Sequence, residues 1–544
     1  MRRPDRLTIP DLLDELAARQ PDHELVVDES GRVRWSYAET RARARDLARG
    51  LVALGVRRGD RVALLMSNRP EWLVIDFAVT LLGATLVPIS TWSRPRELEY
   101  VLGHCAASVL FTMPRFGSHD YLQTTTDLGG AGSPRLPHLD RIVVCGAAPA
   151  LPAGALPSLD AVVALGRGVD DAALAEARRS VTPEDIGCIL YTSGTTSAPK
   201  GVQLAQGGLI ENMWHIGERQ HLTPADRMWM GISLFWSFGC ANALFAVMTH
   251  GGTIVLQEHM EPGAALALIE RERCTVYYGT PNIALALTEH PDRARRDLSS
   301  LRTGAAIGAP AAMQMVMDLG AREICNVYGL TECYGNCSVT DAHDPPEVRR
   351  TTVGFPLPGQ EVRVVDRESR RPLPVGEVGE ILVRGRLTPG YYADPERNAA
   401  SFDAEGFLLT GDLGFLGEDG RLRFRGRIKE MVKTGGINVA PAEIEEVLLG
   451  HPAVEQAYVV GVPDPRKEEV LVAVVVARAG QTVDVDALRA LCTDALAAYK
   501  VPQAIHVMAR EALPLTSTGK VQKFRLADQL GGQVLHSDIS PREA

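Results

Sequence analysis

The chain's densest chemistry lies in one run, Tyr191-Thr192-Ser193-Gly194-Thr195-Thr196-Ser197-Ala198-Pro199-Lys200-Gly201. Glycine lets backbone N–H groups close on an anion, hydroxyls donate to its oxygens, and the lysine adds positive charge. The run is not a Walker loop, which needs Gly directly before the Lys and Ser or Thr after it; Pro199 and Gly201 stand there instead. A second group, Asn326-Val327-Tyr328-Gly329-Leu330-Thr331-Glu332, ends in a carboxylate of the kind that holds a hard divalent cation beside phosphate. Thr410-Gly411-Asp412 offers a carboxylate able to accept from two adjacent O–H donors. Arg425-Gly426-Arg427-Ile428-Lys429-Glu430 follows as a charged run, and Leu513-Pro514-Leu515-Thr516-Ser517-Thr518-Gly519-Lys520 ends in a lysine on a loop bounded by proline and glycine. These are parts for gripping a polyanion. Nucleophilic chemistry has no comparable support: Gly231-Ile232-Ser233-Leu234-Phe235 and Phe235-Trp236-Ser237-Phe238-Gly239 each miss one glycine of a nucleophile elbow. Gly166-Arg167-Gly168 has Asp171 where a dinucleotide fingerprint needs its third glycine.

Short apolar runs at 61–65, 139–145 and 187–192 read as buried strands, and 41–54 as an amphipathic helix. The most membrane-like stretch, 72–89, contains Asp76, Gly83 and Pro88, so it reads as a buried helix and then a strand. Strands alternating with helices predict an α/β fold, with a large multi-layer N-terminal domain built on largely parallel sheets. Positions 124–157, rich in Gly, Pro, Ala and Ser, read as surface loop outside the 139–145 strand. Near Val353 glycines and prolines become dense, and strands at 361–365 and 379–383 predict a small β-rich subdomain. Beyond Arg425 a strand at 428–433, a Gly435-Gly436 turn, and a helix opened by Pro441 and favoured by Glu443, Glu445 and Glu446 follow. Strands at 454–460 and 470–476 and a helix at 485–498 complete a small α+β domain. The expected division is 1–427 and 428–544.

A chain of 544 residues exceeds one compact core, and 45% hydrophobic with 23% charged residues is an ordinary globular balance. The net charge of −10 opposes non-specific adherence to nucleic acid or anionic membrane. Nine cysteines scattered singly point to reduced thiols and a cytoplasmic setting; Cys333 and Cys337 have no second pair to complete a zinc site. The N-terminal sequence lacks the apolar core of a secretion signal.

The hydroxyl-rich run resembles the signature loop of the adenylate-forming superfamily, which includes acyl-CoA synthetases, aryl-CoA ligases, luciferases and peptide-synthetase adenylation domains. Ser197 stands where that family often has glycine. The likeness continues in order along most of the chain. It implies that Thr192, Ser193, Gly194, Thr195, Thr196 and Lys200 hold ATP phosphates, and that Thr303-Gly304-Ala305-Ala306 lies along the adenine and acyl group. Asn326 and Val327 lead to Tyr328 beside the adenine; Thr331 meets the α-phosphate side, and Glu332, with Thr195, holds Mg²⁺. Asp412 takes the ribose hydroxyls, and Arg427 faces ribose or phosphate. Lys433, Gly435 and Gly436 take a cofactor-facing place near a pantetheine tunnel. Lys520 matches the catalytic lysine, although Leu515 and Lys523 replace the basic residue and arginine common there. A small mobile C-terminal domain that alternates between two poses, with Lys429 as hinge, is implied as well.

A carboxylate is a poor electrophile, and its approach to another anion is electrostatically opposed. Lys520 between acid oxygen and α-phosphate, with Mg²⁺ and the loop orienting pyrophosphate, answers that problem. Trp236, Phe238 and Asn242, with Gly304 and Gly329, correspond to the acyl pocket, and the rings suit an aromatic, alicyclic or medium aliphatic acid. The expected enzyme is thus an AMP-forming acyl-CoA ligase using ATP, Mg²⁺ and coenzyme A, as monomer or homodimer, without nucleic acid or membrane insertion. A stand-alone enzyme loading a carrier protein is the nearest alternative. A non-catalytic nucleotide binder is a second, opposed by the joint presence of Lys520, Glu332 and Asp412.

Overall fold

The computed structural model describes residues 4, 6–148, 150–152, 154–192, 199–434, 437–464, 467–496, 498–515 and 520–534. The chain divides into two compact units, one of residues 1–362 and 383–408, the other of 363–382 and 409–544.

The first unit is built on two large sheets. One has six strands in the order Lys200–Ala205, Ile186–Thr192, Thr85–Pro88, Arg61–Leu65, Val109–Thr112, Arg141–Val144. Its interior pairs are parallel, and its edge is the antiparallel hairpin of Ile186–Thr192 and Lys200–Ala205. Parallel strands covered on both faces carry continuous apolar sequence, and Val62, Ala63, Leu64 and Leu65 are all fully buried. The second sheet has nine strands. Its centre, from Glu24–Val27 through Thr253–Leu256, Arg227–Met230, Val276–Gly279 and Thr303–Ala306 to Cys325–Tyr328, is parallel, and antiparallel strands close both edges. The Pro70–Leu81 helix is buried on every face, so its near-uniform apolarity reflects its place in the core and not in a membrane. Among the described residues no helix is long and apolar enough to cross a membrane.

A four-stranded sheet has the order Gln360–Val365, Gly379–Gly385, Leu408–Leu416, Leu422–Arg427. In the second unit the long hairpin of Val454–Asp464 and Glu468–Ala477 is joined by Ala504–Val507 and the short Val432–Thr434 strand. The Pro441–Leu449 and Val485–Ala495 helices pack their apolar residues against this sheet. All nine cysteines are free and buried.

Several local expectations change. The stretch at 428–433 is not one strand: Ile428–Glu430 forms a single 3-10 turn before Val432–Thr434. The helix expected from 41 begins at Tyr37, because Ser36 caps the backbone N–H of Glu39 while the Glu39 side chain accepts from Ser36 N–H. The helix expected at 485–498 stops at Ala495, where Leu496 turns extended. Within 124–157 the chain first completes the Tyr121–Asp127 helix, and Leu128, Leu136 and Leu139 are buried, so this loop packs onto the body.

Candidate active site

The hairpin register sets Thr192 opposite Lys200, so the run between them starts and ends at one point on the sheet edge. Ser193, Gly194, Thr195 and Thr196 themselves lie outside the described residues. Among the described residues Thr192 Oγ1 is buried without a hydrogen-bond partner, an orphan of the kind that an incoming phosphate oxygen satisfies. Lys200 leaves the other end of the run, and its Nζ reaches Glu332 Oε1 at 2.5 Å and the Tyr391 hydroxyl at 3.2 Å. Tyr391 in turn donates to the same Glu332 oxygen at 2.8 Å. Burial works to raise the Glu332 carboxyl, but the Lys200 ammonium and the Tyr391 hydroxyl outweigh it and hold the group below the usual carboxylate range. The result is an ionised, buried carboxylate beside the Lys200 ammonium, and a hard oxygen donor of this kind fits a divalent cation such as Mg²⁺.

Glu332 sits in the short 3-10 turn Thr331–Cys333, directly after the Cys325–Tyr328 strand. Gly329 between them is required by crowding: a Cβ there would lie 2.4 Å from Asn336 Cα. Thr331 donates to Ser237 Oγ at 3.3 Å, tying the turn to the Ser237–Ala243 π-helix. Val327 and Tyr328 are buried in their strand, and Asn326, also buried, keeps its Oδ1 unpartnered. In the neighbouring Thr303–Ala306 strand, Gly304 has φ of +129°, and a Cβ there would meet the Tyr277 carbonyl oxygen at 1.8 Å. Ala305 and Ala306 continue this flat, side-chain-poor surface.

The π-helix brings one ring of the expected acyl pocket, Phe238, beside the adjoining Val276–Gly279 strand. The Phe238 ring lies 5.2 Å from Tyr278, whose register partner is Ala305. Trp236 is half-buried against Phe235 and Trp92, at ring separations of 5.2 and 6.3 Å. Asn242 is fully buried next to Gly335, and neither of its amide atoms finds a partner.

The second unit gathers its own set. The Leu408–Leu416 and Leu422–Arg427 strands pair Asp412 with Arg427, and Arg427 Nε lies 3.1 Å from Asp412 Oδ1. Asp412 is buried, and its N–H donates to Thr410 Oγ1. The Lys520 residue is exposed, yet crowding around its ammonium, then the positive charge of Arg427, lower its pKa below the usual lysine value; Glu430 opposes the shift. Lys523 is an ion-pair residue, 2.7 Å from Glu445 and 3.5 Å from Glu430. Lys429 belongs to the Ile428–Glu430 turn and Lys433 to the Val432–Thr434 strand. The side chains of Lys429 and Lys433, and all of Gly435 and Gly436, lie outside the described residues.

Sequence reasoning missed Tyr391, Ser237 and Trp92. Tyr391 follows Gly390 and precedes Tyr392, with no local pattern to set it apart; only the fold brings it to Glu332, 59 positions earlier.

The model of the AMP-binding enzyme family matches residues 13–392, and that of the AMP-binding enzyme C-terminal domain matches 443–520. YngI of Bacillus subtilis is 34% identical over 536 residues, covering 96% of this chain and 97% of that protein. The feruloyl-CoA synthase of Amycolatopsis is 34% identical over 518 residues, covering 94% of this chain and 97% of its own length. Among solved structures, the anthranilate CoA ligase AuaEII in complex with anthranoyl-AMP superposes with a TM-score of 0.86 at 27% identity, covering 98% of this chain and 100% of that one.

Proposed function

The chain belongs to the AMP-binding enzyme family, and from that membership we propose how its residues divide the work of an acyl-CoA ligase. The enzyme is an AMP-forming acid–thiol ligase: it activates an apolar carboxylic acid with ATP and passes the acyl group to coenzyme A. Relatives named as CoA ligases along their whole length do not favour a carrier protein as acceptor. The observation that carries the assignment of residues is the ion pair between Lys200, which ends the hydroxyl-rich run, and the buried Glu332 carboxylate.

In the first half-reaction a carboxylate oxygen of the acid attacks the α-phosphorus, the bond to pyrophosphate breaks, and acyl-AMP forms. Lys200 and the hydroxyls of Thr192, Thr195 and Thr196 orient the phosphates. Mg²⁺, held by Glu332 and Thr195, would neutralise charge on the leaving pyrophosphate. Asp412 accepts from the ribose hydroxyls, and Arg427 stands beside it. Lys520, carried by the mobile 428–544 domain, stabilises the charge that develops between acid and phosphorus. In the second half-reaction the thiol sulfur attacks the acyl carbonyl and AMP leaves; a turn of the C-terminal domain about Lys429 exchanges Lys520 for the backbone near Gly435 and Gly436. Trp236 and Phe238 form the wall against which the apolar acid packs.

The test is acid-dependent exchange of labelled pyrophosphate into ATP across aromatic, alicyclic and medium aliphatic acids, followed by detection of the CoA thioester. Exchange with at least one acid and a matching thioester is expected. No exchange with any acid would reduce the protein to a nucleotide binder.

A further inference from the structure

The Pro95–His104 helix is held firmly. Proline opens it, the Glu97 carboxylate accepts from the Arg94 N–H at 2.7 Å, and Leu98, Val101 and Leu102 are buried in the main core. On one face, four residues apart and therefore one turn from each other, stand Tyr100 and His104, their rings stacked at 5.3 Å. Tyr100 donates its hydroxyl hydrogen to the carbonyl of Pro199 at 3.0 Å. His104 Nδ1 and the Tyr191 hydroxyl lie 2.6 Å apart. Partial burial lowers the His104 pKa against an opposing pull from Asp394, which favours the neutral ring. Tyr191 also meets both helix rings edge-on, at 6.4 and 5.7 Å.

These two contacts fall at the two ends of the hydroxyl-rich run. Tyr191 directly precedes Thr192, with its orphaned hydroxyl, and Pro199 directly precedes Lys200, whose ammonium pairs with Glu332. The hairpin ladder fixes the spacing of these ends within the sheet. The helix fixes them against the body, from outside the sheet. We propose that Tyr100 and His104 are positioning residues for ATP, a two-point clamp that sets where Thr192 and Lys200 present themselves to the phosphates. Neither touches the reacting atoms; each acts through the residue it holds. The inference rests on the adenylating activity set out above.

The test compares the full-length wild type with Tyr100→Phe, Tyr191→Phe, His104→Leu and His104→Asn, measuring acid-dependent pyrophosphate exchange and thermal midpoint. Wild-type exchange comes first, because its absence would sink the adenylation reading itself, whereas the variants bear on the clamp alone. Each Phe variant removes one oxygen and no ring, and each is expected to raise the KM for ATP about three- to tenfold, the factor carried by one ordinary hydrogen bond. The KM for the acid is expected to stay within a factor of two or so. His104→Leu and Tyr191→Phe break the same bond, so their double variant should be no worse than either single; Tyr100→Phe with His104→Leu should multiply. His104→Asn keeps a polar atom near the Nδ1 position and should restore most of the ATP affinity. A fall in thermal midpoint with an unchanged KM for ATP, or equal losses toward ATP and acid, would overturn the proposal.

Discussion

Lys200 and Glu332, 132 positions apart in sequence, meet as an ion pair with Nζ 2.5 Å from Oε1, and Glu332 is buried while Lys200 is partly exposed. A buried carboxylate that loses its cation is left desolvated and unpaired, which costs more than losing both groups together. Lys200→Met is therefore expected to destabilise the protein by about 3 kcal/mol, and Lys200→Met with Glu332→Gln by distinctly less. Both should abolish ATP-dependent activity. Because the folded Glu332 carboxyl titrates below its ordinary value, the pair's contribution is complete above the usual glutamate range and fades as pH falls through the folded value. Denaturant melts of the variants between pH 3.5 and 7 check both points, and a double variant less stable than Lys200→Met would refute the pairing argument.

Lys520→Ala is expected to slow acyl-AMP formation by a factor on the order of 100 or more. Thioester formation from supplied acyl-AMP should stay near the wild-type rate. Lys429→Pro should show the reverse pattern, with adenylation spared and thioester formation impaired. The lowered pKa of Lys520 means that its ammonium is lost at lower pH than that of an ordinary lysine, so the alkaline limb of the adenylation profile should belong to this residue and vanish in Lys520→Ala. Single-turnover assays of the two half-reactions decide; equal loss of both in either variant contradicts the division of labour.

Trp236, packed against Trp92 and Phe235, is expected to set the width of the acyl pocket. Trp236→Ala should raise the KM for the preferred acid about tenfold, in line with the loss of a large apolar contact, and admit bulkier acids, with the KM for ATP unchanged. An unaltered acid preference together with a lower melting temperature would mean that the ring only fills space.

Asp76 lies in the Pro70–Leu81 helix, and burial alone pushes its carboxyl up to about 8. With the folded value above the unfolded one, the favourable neutral form contributes fully below pH 3.8 and that contribution is lost as pH rises through about 8. Asp76→Asn should remove this slope. The wild type is expected to lose up to about 2–3 kcal/mol between pH 5.5 and 7.5 relative to the variant. Parallel stability curves across that range would refute the burial argument.

What the sequence made legible is what its backbone demands locally. The hydroxyl-rich run declares itself through composition, and Thr331-Glu332 follows a strand whose geometry only Gly329 and its neighbours allow. Ser36-Tyr37-Ala38-Glu39 carried a capping signal that moves a helix start by a turn, legible but outweighed by the apolar periodicity beyond it. The 428–433 stretch shows the opposite case: alternating apolar and charged residues suit a strand, yet Ile428–Glu430 turns, because no strand pairs with it there. Tyr391 and the Tyr100–His104 pair were illegible for another reason. Their roles depend on contacts across 59 and 87 positions or more, which no window along the chain contains.

The thiols, finally, make the enzyme a quiet background for its own chemistry. None of the nine lies at the surface, and burial pushes Cys105, Cys145 and Cys274 up to about 12, far from the thiolate form that reagents attack. A chromogenic aromatic disulfide added to a native reaction mixture should therefore register coenzyme A and leave the polypeptide untouched. Consumption of the acceptor can be read continuously by colour, and the catalyst can be kept without reductant.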